Sequence, residues 1–333
     1  MTETPPLTAK NLRTDQEVRW CPGCGDYSIL ANVQKAVAAS GKQRHEHVFI
    51  SGIGCAARFP FYMETFGFHT IHGRAPAIAT GLAVARPELT VWVATGDGDS
   101  LSIGGNHFIH AIRRNVNLNL LLFNNEIYGL TKGQYSPTSR QGKVTKSTPM
   151  GSLDLPLSPA RVAFGAGSSF FARVIDTDSK ATAEILAAAQ AHKGMAVIEI
   201  LQNCVIFNDA AFGHITDKKT AKDNQLRLVH GEPLLFAGGT KGISMQGAEP
   251  IVVDVDSGAD ILVHNQDGGP GYDAMLASLD TPEFPAPLGI LWQHERPSYE
   301  TGVNDQVALA KARRKDANDL HALLRTGQTW EVE

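Results

Sequence analysis

The chain has four cysteines, Cys21, Cys24, Cys55 and Cys204, and the first two lie in a C-P-G-C-G run. A C-x-x-C turn with Pro and Gly in its loop aims two sulfurs at one point and frees backbone N–H groups towards it. Three chemistries use such a pair: a redox dithiol, half of a zinc site, or half of an iron–sulfur site. A thioredoxin-like dithiol follows a strand. Here apolar residues at helical spacing follow (Tyr27, Ile29, Leu30, Val33, Val37), but no strand-like run precedes Cys21. Cys55 ends a second glycine-rich run, S-G-I-G-C, and Cys204 follows an apolar stretch over residues 195–201. Two more cysteines at strand ends are consistent with a four-thiolate site, and the wide gaps leave zinc and iron–sulfur both open.

Two further runs carry glycines and oxygen donors. G-I-G-C-A-A at 52–57 follows a short apolar run and looks like a dinucleotide fingerprint. That fingerprint needs an acidic residue ~20 positions on, to hold the ribose. The chain reads H-T-I-H-G-R there, which argues against a nicotinamide cofactor. The second run is Gly96, Asp97, Gly98, Asp99, at the end of one predicted strand, with Asn124 and Asn125 at the end of the next. Open α/β sheets bind ligands at the C-terminal ends of their strands. Asp97 and Asn125 would supply hard oxygen ligands, suited to Mg²⁺ holding two phosphates. Gly98 would let backbone approach a diphosphate, and a helix near residue 105 could offer its positive N-terminus. His72 is an imidazole at a strand end near this site, a candidate for polar contact with cofactor or substrate. Arg74 is a candidate for a phosphate or carboxylate, or for a surface acid.

These residues need a sheet to bring them together. Strand-like runs at 47–50, 90–95, 117–123, 170–175 and 195–201 alternate with helical runs near 75–85, 105–114 and 179–192. The run at 117–123 is almost wholly apolar, the mark of a strand covered on both faces. Such alternation predicts an α/β fold with a doubly wound, mostly parallel sheet. Residues 124–157 form a long Gly-, Pro- and Ser-rich loop of the kind that usually serves function. After Cys204 the pattern weakens to short strands near 251–255 and 261–263, a Gly/Pro-rich stretch at 267–271 and a basic helix near 305–315. The reading is therefore one domain over 1–204 that binds the cofactors, and an irregular C-terminal extension over 205–333 wrapping the core or a partner.

Composition narrows the classes. The 333 residues suggest about two domains, or one large α/β domain with an extension. Apolar residues make up 43% and charged residues 19%, enough for a sizeable core and unlike a disordered chain. Thirty basic against thirty-four acidic residues give a net charge of −4, with no basic excess for nucleic acid. No apolar run approaches ~18 residues, so no membrane span is expected. The first residues lack a secretory pattern. A cytoplasmic protein is expected.

G-D-G followed later by N-N resembles the thiamine diphosphate-binding motif. Joined to C-P-G-C-G, G-I-G-C and a distal N-C, the chain over about residues 15–215 resembles the β subunits of 2-oxoacid:ferredoxin oxidoreductases, most nearly the 2-oxoglutarate type. The resemblance implies one [4Fe–4S] cluster on Cys21, Cys24, Cys55 and Cys204. It implies Mg²⁺ on Asp97, Asn125 and the carbonyl of Ile127. Thiamine diphosphate contacts are implied for Ile53, Gly54, Cys55, His72, Gly96, Asp97, Gly98, Asp99, Asn125, Ile127, Gly129, Leu130 and Thr131. The implied reaction cleaves CO₂ from a 2-oxoacid, passes electrons singly through the cluster to ferredoxin, and gives the acyl group to coenzyme A, reversibly in principle. By the same resemblance a separate α subunit supplies the Glu that contacts the thiamine pyrimidine, so this chain is expected to act only in a heterotetramer. His72, Arg74 and Lys132 are the candidates for substrate contact. Members that handle pyruvate tend to have Gly where this chain has Lys132, in T-K-G-Q. A cation there would pair with the distal carboxylate of 2-oxoglutarate. The alternatives are pyruvate or a broad set of 2-oxoacids and, in another class, a structural Cys₄ zinc subunit that binds a partner.

Overall fold

The computed structural model describes residues 6–313, 319–325, 327–328 and 330–332. Its strands are β1 (His47–Ser51), β2 (Phe66–His69), β3 (Thr90–Gly96), β4 (Leu118–Asn124), β5 (Phe170–Ile175), β6 (Met195–Leu201), β7 (Gln225–Arg227), β8 (Leu235–Phe236), β9 (Lys241–Gln246), β10 (Glu249–Asp254) and β11 (Ala286–Gln293). The helices that bear on the site are α1 (Asp26–Ala39), α2 (Ala75–Ala85), α3 (Asp97–Leu101), α4 (Gly105–Arg114), α5 (Pro159–Gly165) and α6 (Ser179–Ala191).

The main sheet runs β2-β1-β3-β4-β6-β5-β11-β7 and is parallel except where β11 meets β5. Its central strands β4 and β6 are buried along their whole length, which is why their sequences are nearly unbroken apolar runs. One face packs on α1 and α6 through Ile29, Val33, Val37, Ile185 and Leu186. The other is covered by α2, α4 and α5 through Ala79, Phe108, Ile112 and Ala160. The doubly wound, mostly parallel sheet is therefore as the alternation predicted.

The order reverses at β1. Its successor β2 pairs on one side and β3 on the other. The loops after β1 and β3 thus diverge at a topological switch point, where a crevice opens beyond the strand ends. Next to them, Gly96 of β3 pairs with Phe123 of β4, so both chains leave the sheet side by side, one into Asp97 and the other into Asn125.

The expected boundary at residue 204 does not divide the core. β11 adds to β5, and Trp292 is buried with its ring stacked on Phe171 at 5.1 Å. The strand expected at 261–263 is only an isolated bridge between Val263 and Pro233. The Gly/Pro-rich stretch leads into a helix, Pro270–Ser278, with Pro at its start. The basic helix is Tyr299–Arg313; Arg314 and Lys315 of the expected span lie outside the described residues. No helix among the described residues is long and apolar enough to cross a membrane.

Candidate functional site

Every residue expected to contact the cofactor lines one cavity of about 60 Å³ at the switch point. Residues 53–56 after β1, 96–99 after β3 and 125–131 after β4 build most of it, with His72 from the loop after β2 and Asp26 from the start of α1. It shares Ile53, Gly54 and Leu130 with a wider cavity of about 410 Å³. Asp97 opens α3 with its carboxylate buried. The hydroxyls of Ser136 and Thr138 donate to Asp97 Oδ2 at 2.5 and 2.6 Å. Burial pushes the Asp97 carboxyl up to about 6, and these hydroxyls oppose the rise. Asn125 Oδ1 accepts the backbone N–H of Ile127 at 3.1 Å, while its Nδ2 donates to Gln202 at 2.8 Å.

Two of these residues have further roles. Asp99 does not present its carboxylate to the cavity alone: it accepts from the backbone N–H of Ile53 (3.1 Å) and Gly73 (2.8 Å) and from Thr95 Oγ1 (2.8 Å). It therefore ties the loops after β1 and β2 to β3. Gly52 makes this possible, because a Cβ there would lie 1.9 Å from Asp99 Oδ2. Gly98 serves packing: a Cβ there would lie 2.1 Å from the ring of Tyr128. The helix N-terminus nearest the motif belongs to α3, which starts at Asp97 itself, and not to α4.

His72 lines the cavity with an exposed ring, its Nδ1 4.0 Å from Asp99 Oδ1. Arg74 is not brought to it. Its side chain lies at the start of α2 and donates to the carbonyl of Ile103 at 3.3 Å. Lys132 lines the neighbouring cavity instead, in a tight turn closed by its N–H to the Gly129 carbonyl at 3.0 Å. Its φ of +76° is in the left-handed region, which costs a side-chain-bearing residue roughly 1–2 kcal/mol.

That neighbouring cavity, of about 220 Å³, is lined by Cys21, Cys24, Cys55 and Cys204 together. The C-P-G-C turn closes through the Cys24 N–H to the Cys21 carbonyl, with Gly23 at φ +82°. None of the four is in a disulfide. Burial, then the charge of Asp26, pushes the Cys24 thiol far up, and the same causes push Cys55 up to about 12. A redox dithiol needs the opposite shift. Among the described residues no three His, Cys, Asp or Glu side chains gather closely enough to hold a single metal ion. The four cysteines instead line one common space. That arrangement, with backbone and not side chain at Gly129 facing it, fits a polynuclear cluster, and the oxygen set around Asp97 fits a hard divalent ion.

The two cavities share Asp26, Cys55, Asn125, Gly129 and Leu130. Several contributors were not visible as motifs. Asp26 is buried beside Cys24, and burial pushes its carboxyl up to about 7. Ser136 and Thr138 come from the long polar loop, whose length was the only signal. Gln202 stands two residues before Cys204 in Q-N-C, with nothing local to mark it.

Comparison with known proteins agrees with this geometry. Residues 52–200 match a family model described as the thiamine pyrophosphate enzyme C-terminal TPP binding domain. The chain is 49% identical over 337 residues to 2-oxoglutarate oxidoreductase subunit KorB of Mycobacterium tuberculosis, covering 98% of this chain and 89% of that one. It is 42% identical over 197 residues to 2-oxoglutarate synthase subunit KorB of Archaeoglobus fulgidus, covering 59% of this chain and 73% of that one. A solved 2-oxoglutarate:ferredoxin oxidoreductase from Magnetococcus marinus, with 2-oxoglutarate, coenzyme A and succinyl-CoA bound, superposes with a TM-score of 0.79 at 30% identity, covering 98% of each chain. Thiamine-type fold, switch-point cavity and full-length relatives converge on one conclusion: the chain belongs to the β-subunit family of the 2-oxoacid:ferredoxin oxidoreductases.

Proposed function

We propose that this chain is the cofactor-bearing β subunit of an enzyme that oxidatively decarboxylates 2-oxoglutarate to succinyl-CoA and CO₂, with ferredoxin taking the two electrons. The observation that carries this reading is the common wall of the two cavities, built from Asp26, Cys55, Asn125, Gly129 and Leu130. A cluster and a thiamine centre in these cavities would sit in adjoining chambers, so electrons would cross a short gap.

Thiamine diphosphate, when bound, supplies the carbanion chemistry that cleaves a 2-oxoacid. The chain's part is to hold and orient it. Asp97, Asn125 and the Ile127 carbonyl are the Mg²⁺ ligands in this reading, and Cys21, Cys24, Cys55 and Cys204 hold one [4Fe–4S] cluster. His72 faces the cofactor cavity as the polar contact. Lys132 reads the distal carboxylate of the substrate. Its left-handed backbone supports this role, since strained residues of this kind cluster at functional sites. The relatives are named as subunits, which supports a partner chain; in this reading it is an α subunit that supplies the pyrimidine-contacting Glu and the coenzyme A site. The complex is a heterotetramer acting in the cytoplasm, and the reaction can run towards carboxylation.

The test is co-expression with the α subunit and an assay of coenzyme A-dependent ferredoxin reduction with 2-oxoglutarate, 2-oxobutyrate and pyruvate. The reading expects 2-oxoglutarate to give the highest kcat/KM. Equal or higher values for pyruvate would replace it with a broad 2-oxoacid enzyme.

A further inference from the structure

The Gln202 side chain bonds a residue of each half of the site, Asn125 on one side and Cys24 on the other. It follows β6, and its backbone N–H donates to the Asn124 carbonyl at 2.8 Å, which continues the ladder between β4 and β6. The residue is 1% exposed. Its Oε1 accepts from Asn125 Nδ2 at 2.8 Å. Its Nε2 donates to Cys24 Sγ at 3.2 Å and to the Asn203 carbonyl at 2.8 Å. Both amide protons and the amide oxygen are therefore engaged, and the orientation is fixed at both ends.

Two consequences follow from general chemistry. An Asn side chain has an oxygen end and a nitrogen end of nearly the same shape, and only the oxygen ligates a hard cation. Since Asn125 Nδ2 is held by Gln202, its Oδ1 is the end left for the Ile127 N–H and the cavity. At the other end, an N–H donor to a cluster-bound sulfur favours the more negative, reduced cluster, and so raises its potential.

We infer that Gln202 is a positioning residue for both cofactors at once: it orients Asn125 towards the diphosphate-bound metal and tunes the cluster through Cys24. The inference rests on the cofactor assignment proposed above, and adds to it a direct link between the two centres.

Two variants of the αβ complex separate the arms. Gln202→Leu removes acceptor and donor together. Gln202→Glu keeps an acceptor for Asn125 but loses the donor to sulfur. The readouts are the cluster midpoint potential, from an EPR-monitored redox titration, and the Kd of thiamine diphosphate with Mg²⁺, from calorimetry on cofactor-depleted complex. For Gln202→Leu, thiamine diphosphate binding should weaken about ten- to a hundredfold, the range for lost outer-shell partners, and the potential should fall. Gln202→Glu should bind thiamine diphosphate close to wild type while its potential falls at least as far. Should Gln202→Leu fail to fold or hold iron, Gln202→Glu alone decides. A wild-type potential in Gln202→Glu overturns the tuning role, and a loss of thiamine diphosphate affinity in it overturns the orienting role. Wild-type complex is measured first. If it lacks iron or does not bind thiamine diphosphate, the cofactor assignment fails, and the inference with it; if it has both and the variants match it, the inference alone fails.

Discussion

Cys55 and Cys204 lie far apart in the sequence, yet both sulfurs stand 3.6 Å from the position a Cβ would occupy at Gly129. The backbone of the loop after β4 thus abuts both thiols, with no side chain of its own at this position.

This contact makes Gly129 a sensitive position. At 3.6 Å the single methyl of Gly129→Ala makes ordinary van der Waals contact, and that variant should keep its iron. The γ-carbons of Gly129→Val reach into the space between the sulfurs, and that variant should lose most of its iron while keeping its fold. Iron analysis with circular dichroism of both variants checks this.

Asp97→Ala should weaken thiamine diphosphate and Mg²⁺ binding by more than the ten- to hundredfold typical of outer-shell losses. It removes the charge that would face the metal and takes the shared acceptor from the Ser136 and Thr138 hydroxyls, of which Thr138 keeps Asn124 Oδ1. Because burial pushes this carboxyl up to about 6, protons compete with the metal there. Wild-type affinity should fall as pH drops through about 6, and calorimetry at pH 7.5 and 5.5 reads both effects.

How much of this was legible in the sequence depends on the kind of signal. β4 and β6 declared themselves because strands buried on both faces need unbroken apolar runs. Residues 96–99, Asn125 and the four cysteines drew attention because glycine-rich turns at strand ends have few other uses, and they line the two cavities. β2 was missed: it is a four-residue edge strand, F-G-F-H, exposed along its length. β11 was missed because Pro287 and Gly289 break its pattern. Gln202 could not be read at all, since its partners Cys24 and Asn125 meet only when β4 pairs with β6 and the turn before α1 folds over them. Arg74 illustrates the reverse, a residue near the motif in sequence whose helix turns it towards Ile103.

Lys132→Gly should relieve the left-handed strain at φ +76° and stabilise the turn. It should also lower kcat/KM for 2-oxoglutarate relative to pyruvate by about ten- to a hundredfold, the loss of one charge-assisted pair worth roughly 1.5–3 kcal/mol. Equal loss for both substrates would show that Lys132 does not read the distal carboxylate.

His47 sets a pH dependence of stability away from the site. Burial, then the charge of Lys42, holds its imidazole down at about 4, against 6.5 when unfolded. Its Nδ1 accepts from Trp92 Nε1 at 3.2 Å, an arrangement that needs the neutral ring. Between pH 6.5 and 4 the unfolded chain takes up a proton that the native chain refuses, so stability is full above 6.5 and falls as pH drops towards 4. Urea unfolding at pH 7 and pH 5 should show a smaller drop for His47→Gln than for wild type.

The proposed function requires this chain to hold a [4Fe–4S] cluster beside the thiamine cavity. EPR of the dithionite-reduced αβ complex, wild type against Cys204→Ser, tests it most directly. Wild type should give a reduced-cluster signal, with about four irons per β chain, lost or altered in the variant. A wild-type complex with zinc in place of iron, or a signal unchanged by Cys204→Ser, would contradict it.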